Sequence, residues 1–331
     1  MNETICKECG ISFNIEKDDI LFYKKVNVPF PTLCPMCRLR RRMTFRNERN
    51  FYQRTCGLCG KNIISIYSLD KPFTVYCQDC WWSDKWDQLS YGQDFDFSKS
   101  FFEQYQKFQL AVPRLTLMNR NAENSEYCNY AGYNKNCYLV FGGSWYNEDC
   151  LYGRRYGYSK SSIDCESLKQ GELCYEVLWS SNMYECVFCF DSSTCSNCYF
   201  STNLRGCSNC FFCSELRNKR YHVWNKPVTK TEFESYVRKM HSFGEFSKMR
   251  DQFSKMLEEC MRPWANVVNC TDCIGDYLVN CKNIKYGYDA IDSEDGKYLV
   301  QCESIKDCMD CSSCGYDNPE LFYETVNTGN G

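Results

Sequence analysis

The sequence predicts a mainly β protein with a small helical share: two four-cysteine modules, then a cysteine-rich parallel β-solenoid with a helical insertion. Three observations carry this. Four C-x-x-C pairs stand in order within the first eighty residues. A twelve-residue period governs many of the cysteines between 128 and 213. Two amphipathic segments then interrupt that period over 214–263.

The bulk composition sets the frame. At 331 residues the chain is long enough for two or three cores, and 16% aromatic content is unlike a disordered chain. No run of about 18 apolar residues exists, so no membrane-spanning helix is expected. The start, MNETICKEC, lacks the basic and apolar segments of a signal peptide, which leads us to expect a cytoplasmic protein with reduced thiols. Its 28 cysteines then call for metal binding or packing, and C-x-x-C spacing suits metal ligands better than disulfide partners. Charge is uneven behind a net −3: residues 1–80 hold 13 Lys/Arg against 8 Asp/Glu, and residues 264–331 hold 4 against 12. Basic regions and an acidic end point to an anionic partner met at particular faces.

The first pairs define two modules, 1–54 with Cys6, Cys9, Cys34 and Cys37, and 55–88 with Cys56, Cys59, Cys77 and Cys80. Tetrahedral zinc takes four thiolates at about 2.3 Å, and two C-x-x-C turns supply them once one folds back onto the other. The segments between the pairs read as hairpins, "FNIEKDDILFYKKVNV" turning at Lys17-Asp18-Asp19 and "NIISIYSLDKPFTVY" turning at Leu69-Asp70-Lys71-Pro72. The only histidines are His222 and His241, so each site has four cysteine ligands and the chain is expected to bind at least two structural zinc ions. Iron is the other ion an all-cysteine site admits.

Arg38, Arg40, Arg41, Arg42, Arg46, Arg49 and Arg54 crowd between Cys37 and Cys56 with one acid, Glu48. No Gly or Pro occurs over 38–50, so a helix is expected to open at the second knuckle, as in a treble clef. On it Arg38, Arg42, Arg46 and Arg49 form one stripe. A guanidinium fork matches phosphate geometry, and phosphate neutralisation drives nucleic-acid affinity. The competing readings are a solvated face, pairing with the acidic C-terminal segment, or an acidic protein partner. Trp81, Trp82 and Trp86 follow the last knuckle, where they either stack on unpaired bases or pack the small module against its neighbour.

Residues 89–127 read as a linker with a helix near 98–111. The solenoid is expected over 128–213, where Cys174, Cys186, Cys198 and Cys210 stand twelve apart. Each unit is a short strand of cysteine, aromatic and apolar residues, closed by a polar turn. Twelve residues make either a whole coil or half of one. Cysteine is small and readily buried, so ladders of it can fill a narrow core without metal. In the insertion, 214–263, "KPVTKTEFESYVRKM" and "EFSKMRDQFSKMLEECM" are amphipathic helices, the first capped by Thr229 or Thr231. Residues 264–331 return to the pattern as further coils and an acidic end, with Cys270, Cys273, Cys308 and Cys311 a candidate third metal site.

The stretches "FPTLCPMCRLRRR", "RNERNFY", "YCQDCWWSDKWD" and "NCFFCSELRNKRYHVWNKPVTKTEF" resemble uncharacterised cysteine-rich tandem zinc-ribbon proteins of uncultivated, small-genome bacteria of the candidate phyla radiation. The resemblance covers roughly residues 1–235. It implies the order of parts and no activity. Residues 6–37 resemble the treble clefs of nucleic-acid and ribosomal proteins, and of protein-binding modules. The function expected is non-catalytic and zinc-dependent: nucleic-acid binding, RNA slightly favoured over DNA, with the solenoid as a rigid platform. A scaffold whose basic helix meets an acidic protein surface is the alternative. No glycine-rich phosphate loop or nucleophile elbow is present, and two histidines leave few bases for Cys–His catalysis.

Overall fold

The computed structural model describes residues 2–291, 296–297, 300–303, 308–312, 321 and 323–326. Strands make up 34% and helices 22%, with six helices among the described residues. None of these helices is long and apolar enough to cross a membrane. The chain divides into two compact units, residues 1–47 with 261–331, and residues 48–260.

In the first unit β1 (Asn2–Ile5) and β2 (Ser12–Ile15) pair antiparallel around the first knuckle. The expected hairpin over 13–28 does not form. Lys17-Asp18-Asp19, read as its turn, instead opens helix α1 (Lys17–Lys25). The local chemistry explains the difference: Glu16 and Asp19 form a capping box, with Glu16 N–H donating to Asp19 Oδ2 at 3.2 Å. Acids also fill the first turn and lysines the last, as the helix dipole favours. Tyr23 on α1 is buried against Ile15 and Met309. Helix α2 (Pro35–Met43) comes next, with Cys34 as its N-cap residue. The C-terminal part of this unit carries four strands in sequence order, Val267–Val268, Ile274–Val279, Lys285–Ile291 and Val300–Glu303, all parallel. Leu278 pairs with Ala290 and Ala290 with Cys302, a step of twelve each time. Cys314, also part of the expected coils, lies outside the described residues.

The second unit opens the same way. Strands β3 (Tyr52–Thr55) and β4 (Asn62–Ser65) pair across the knuckle at Cys56, and the short helix α3 (Gln78–Trp81) starts at Cys77. Here too the hairpin encloses a knuckle; the expected pairing within 62–76 is replaced by Val75–Tyr76 alongside Arg114–Leu115. Helix α4 (Phe101–Ala111) is capped by Ser100, whose hydroxyl accepts from Glu103 N–H at 3.2 Å.

From Asn119 to Pro227 an eleven-stranded sheet runs in strict sequence order, parallel except for its last pair. The register answers the question of step length: Tyr175 pairs with Val187, Val187 with Tyr199, and Cys198 with Cys210, a step of twelve, which becomes thirteen where Tyr138 pairs with Leu151 and Val140 with Gly153. Within that step a shorter rhythm of three appears. Cys174, Val177, Ser180, Met183, Cys186, Cys189, Ser192, Cys195, Cys198, Ser201 and Leu204 are all buried. The residue before each of them has left-handed backbone, for example Glu185 at φ 50° and Asn197 at φ 51°. Every third residue turns the chain and the next one points inward.

Such tight turns leave carbonyls to satisfy, which explains the inward residue types. Cys186 Sγ donates to Tyr184 O at 3.3 Å and lies 3.7 Å from Cys195 O; Cys198 does likewise with Ser196 O and Cys207 O. Serine substitutes in the same role, Ser192 Oγ donating to Phe190 O at 2.8 Å and accepting from Leu204 N–H at 3.1 Å. A small side chain with one donor fits a narrow interior and gives these carbonyls an added bond, while Val177, Met183 and Leu204 fill inward positions by apolar packing alone.

Helices α5 (Lys230–Met240) and α6 (Phe243–Glu259) close one side of this unit. Thr229 caps α5 in a reciprocal box with Glu232. Phe233, Met249, Phe253 and Met256 pack on a twelve-step aromatic column, Phe188, Phe200 and Phe212, whose rings stack at 5.2 and 5.5 Å.

Candidate metal centres and the arginine helix

The sulfurs of Cys6, Cys9, Cys34 and Cys37 all lie within 4.8 Å of one another, and so do those of Cys56, Cys59, Cys77 and Cys80. Two kinds of turn bring each set together. The first pair sits on a hairpin end, where Gly10 and Gly60 take φ +72° and +74° and donate to Cys6 O and Cys56 O at 3.0 Å. A side chain would strain that conformation. The second pair sits at a helix start, with Cys34 and Cys77 as N-cap residues. Main-chain N–H groups point at the sulfurs: Cys34 N–H donates to Cys6 Sγ and Cys77 N–H to Cys56 Sγ, both at 3.3 Å.

These distances fit a tetrahedral ion. At a metal–sulfur length of about 2.3 Å a tetrahedron has edges of about 3.8 Å. Cys9 and Cys34 sulfurs are 3.7 Å apart, Cys59 and Cys77 sulfurs 3.9 Å. The electrostatics agree. Burial pushes the Cys6 thiol up, but the N–H groups of Cys34, Cys9 and Glu8 outweigh it and hold the group down at about 6. Cys56 is held at about 6 by the matching N–H groups of Cys59, Cys77 and Leu58 against the same burial. Cys37 and Cys80 are pushed up to about 12, by burial first and then by the other three cysteines. One thiolate thus forms readily in each tetrad, at Cys6 and at Cys56, and opposes ionisation of Cys37 and Cys80; a cation at the centre removes that opposition. All four positions are thiols, so a bound ion would have no open site for substrate.

The third candidate set does not converge. Cys270, Cys273, Cys308 and Cys311 share one apolar cluster with Leu278 and Ile284, yet among the described residues only the two N-terminal tetrads bring their sulfurs together. Cys270 and Cys273 donate to the carbonyls two residues back, Val268 O and Thr271 O, each at 3.2 Å. They share the habit of the repeat cysteines.

The arginine stripe is not solvent-facing as expected. Helix α2 ends at Met43, before Arg46, and Arg49 and Arg54 belong to the second unit. Arg38 and Arg42 are each only 4% exposed. Arg38 grips Asp310 with two bonds, Nε to Oδ2 at 2.7 Å and Nη2 to Oδ1 at 3.1 Å, and donates to Leu33 O at 2.6 Å. Arg42 Nη1 lies 3.8 Å from Asp310 Oδ1 and 3.7 Å from Glu324 Oε1, and its Nε donates to Ser312 Oγ at 3.4 Å. Burial lowers its pKa against the pull of those acids. Arg41 pairs with Glu324 and Arg40 with Glu8, both arginine side chains remaining more than half exposed. Sequence reasoning does not assign the partners at 310, 312 and 324; the acidic excess of 264–331 is the signal that points to them.

Arg54 donates to Ser68 O and Phe73 O at 2.9 Å, a structural role within its module. Arg49 is exposed and lies over the Phe141 ring at 5.4 Å. Among the tryptophans, Trp86 packs on Tyr76 and Trp81 at 5.3 and 4.9 Å and donates to Trp81 O, so both rings belong to the module core. Trp82 alone of the three is exposed, at 67%, its Nε1 tied to Gln78 Oε1 at 3.2 Å.

Two thiol tetrads of this geometry make the chain a cysteine-rich protein with two sites that can each hold a metal ion. No protein-family model matches it, and no curated protein does.

Proposed function

We propose that the chain is a non-catalytic, zinc-dependent nucleic-acid-binding protein of the cytoplasm, with RNA slightly favoured over DNA. The observation that carries this reading is the chemistry exposed just past each tetrad. After Cys37 come Arg40 and Arg41, with side chains 64% and 52% exposed; after Cys80 comes the exposed Trp82. Cations for phosphate and a ring for a base thus stand beside rigid, metal-sized centres. Zinc is the ion of choice for four thiolates in a closed tetrahedral site. We read the parallel segments within each unit as coils of a β-solenoid, a stiff platform for the module in that same unit. Arg38 and Arg42 act as braces rather than phosphate contacts.

The test is a filter-binding titration of the zinc-loaded chain with single-stranded RNA at about 50 mM salt, with a log–log salt slope. Binding with a slope that shrinks by roughly one unit in Arg40→Ala or Arg41→Ala supports the reading. No affinity at that salt removes it. A scaffold reading then leads, supported by the pairing of Arg41 and Arg42 with the carboxylate of Glu324 within the chain.

A further inference from the structure

A groove of about 1070 Å³ opens in the second unit. It runs beside the second tetrad, bounded by β4, α3 and the stretch 116–127. Trp82 lines it with its ring exposed and its rotation restrained by the bond to Gln78. Tyr127, 38% exposed, is a second aromatic in the wall. The charged lining is Asp79 and Glu126 against Arg120 alone, all three on the surface. Beneath them Asn119 gives its amide N–H to Ser125 O at 2.7 Å and keeps Oδ1 without a partner, so the floor is polar.

That combination selects among ligands. Flat aromatic walls suit a planar ring, and a polar floor disfavours a purely apolar one. Two carboxylates against one guanidinium disfavour a phosphate at the centre and favour a ligand rich in N–H donors. Among nucleobases guanine alone offers two adjacent donors, N1–H and the N2 amine, which one carboxylate accepts together. Adenine, cytosine and uracil each offer at most one such group on that edge. We propose that this groove takes an unstacked guanine base, stacked on Trp82 and read by Glu126 or Asp79. This rests on the nucleic-acid reading above and gives it a base preference.

Titrating the zinc-loaded full chain with GMP, AMP, CMP and UMP, with tryptophan fluorescence and saturation-transfer NMR as readouts, tests it. GMP should bind at least roughly fivefold more tightly than the others, the lower end of discrimination for a bidentate base contact. Trp82→Ala should abolish the GMP quench. Glu126→Gln and Asp79→Asn together should bring GMP to the level of AMP while leaving AMP unchanged; both side chains are exposed, so folding is not at stake. Equal binding of all four, or none up to about 10 mM, overturns the proposal. Single-stranded RNA binding without GMP preference refutes the groove's role and spares the broader reading. GMP binding with no RNA affinity upholds the groove and removes the broader reading.

Discussion

Removing Asp310 should loosen the first metal module from a distance of 272 residues along the chain. The carboxylate is 1% exposed and takes two bonds from Arg38, with Arg42 at 3.8 Å from the same group. Asp310→Ala takes the shared carboxylate from two buried guanidiniums at once, Arg42 keeping Glu324 and Ser312, while Arg38→Ala leaves the carboxylate with Arg42. Losing one partner of a buried pair costs about 3–5 kcal/mol, and the aspartate should stand at the upper end. Arg40→Ala is the control: its pair with Glu8, at 2.8 Å, is largely solvated, so its loss should matter little. Since α2 carries Cys34 and Cys37 at its start, hydrogen exchange of amides 36–43 is the direct readout. Each 1.4 kcal/mol is tenfold, so exchange should quicken by roughly three to four orders of magnitude in Asp310→Ala and by less than tenfold in Arg40→Ala. Unchanged exchange in Asp310→Ala and Arg38→Ala, with weakened nucleic-acid binding instead, would refute the brace and restore a phosphate-facing stripe.

Three further outcomes can be checked. Cys34→Ser or Cys56→Ser should each lose one equivalent of zinc by elemental analysis and unfold its module, since structural zinc contributes on the order of 10 kcal/mol; full metal content in either variant, or iron in place of zinc, contradicts the assignment. Burial pushes the thiols of Cys128 and Cys165 up to about 12, so at pH 8 only about one in ten thousand is thiolate. Iodoacetamide should therefore spare both in the folded chain, and after chelation should label the eight tetrad cysteines well ahead of them, as read by peptide mass spectrometry; early labelling of Cys165 counts against the buried ladder. Gly153→Ala should destabilise the second unit by about 1–3 kcal/mol in a denaturant titration, because a Cβ there overlaps the fully buried Tyr156 ring; an unchanged midpoint would mean that the ring has room to move.

Much of the site was legible in the residues. C-x-x-C spacing paired the right cysteines because a knuckle is a local turn, and the glycines at 10 and 60 complete it within a few residues. The period of twelve was visible because stacked segments repeat their side-chain types. The finer period of three was missed: cysteine, serine, valine and methionine share the inward positions, so no single residue type marks it. The turn placed at Lys17-Asp18-Asp19 failed for a related reason, since acids after Glu16 serve a helix start as well as a turn.

By itself, then, the sequence determined the two tetrads, the twelve-residue step of most segments and a capped helix starting at Thr229 or Thr231, all of which rest on neighbours close in the chain or on repetition. The tertiary structure decided which way the arginines face, which tryptophan stays exposed, and that Cys270, Cys273, Cys308 and Cys311 do not gather. Those outcomes depend on groups brought from far along the chain, Asp310 and Glu324 above all. A cation follows the nearest desolvated carboxylate, and spacing along a helix cannot say where that carboxylate will be.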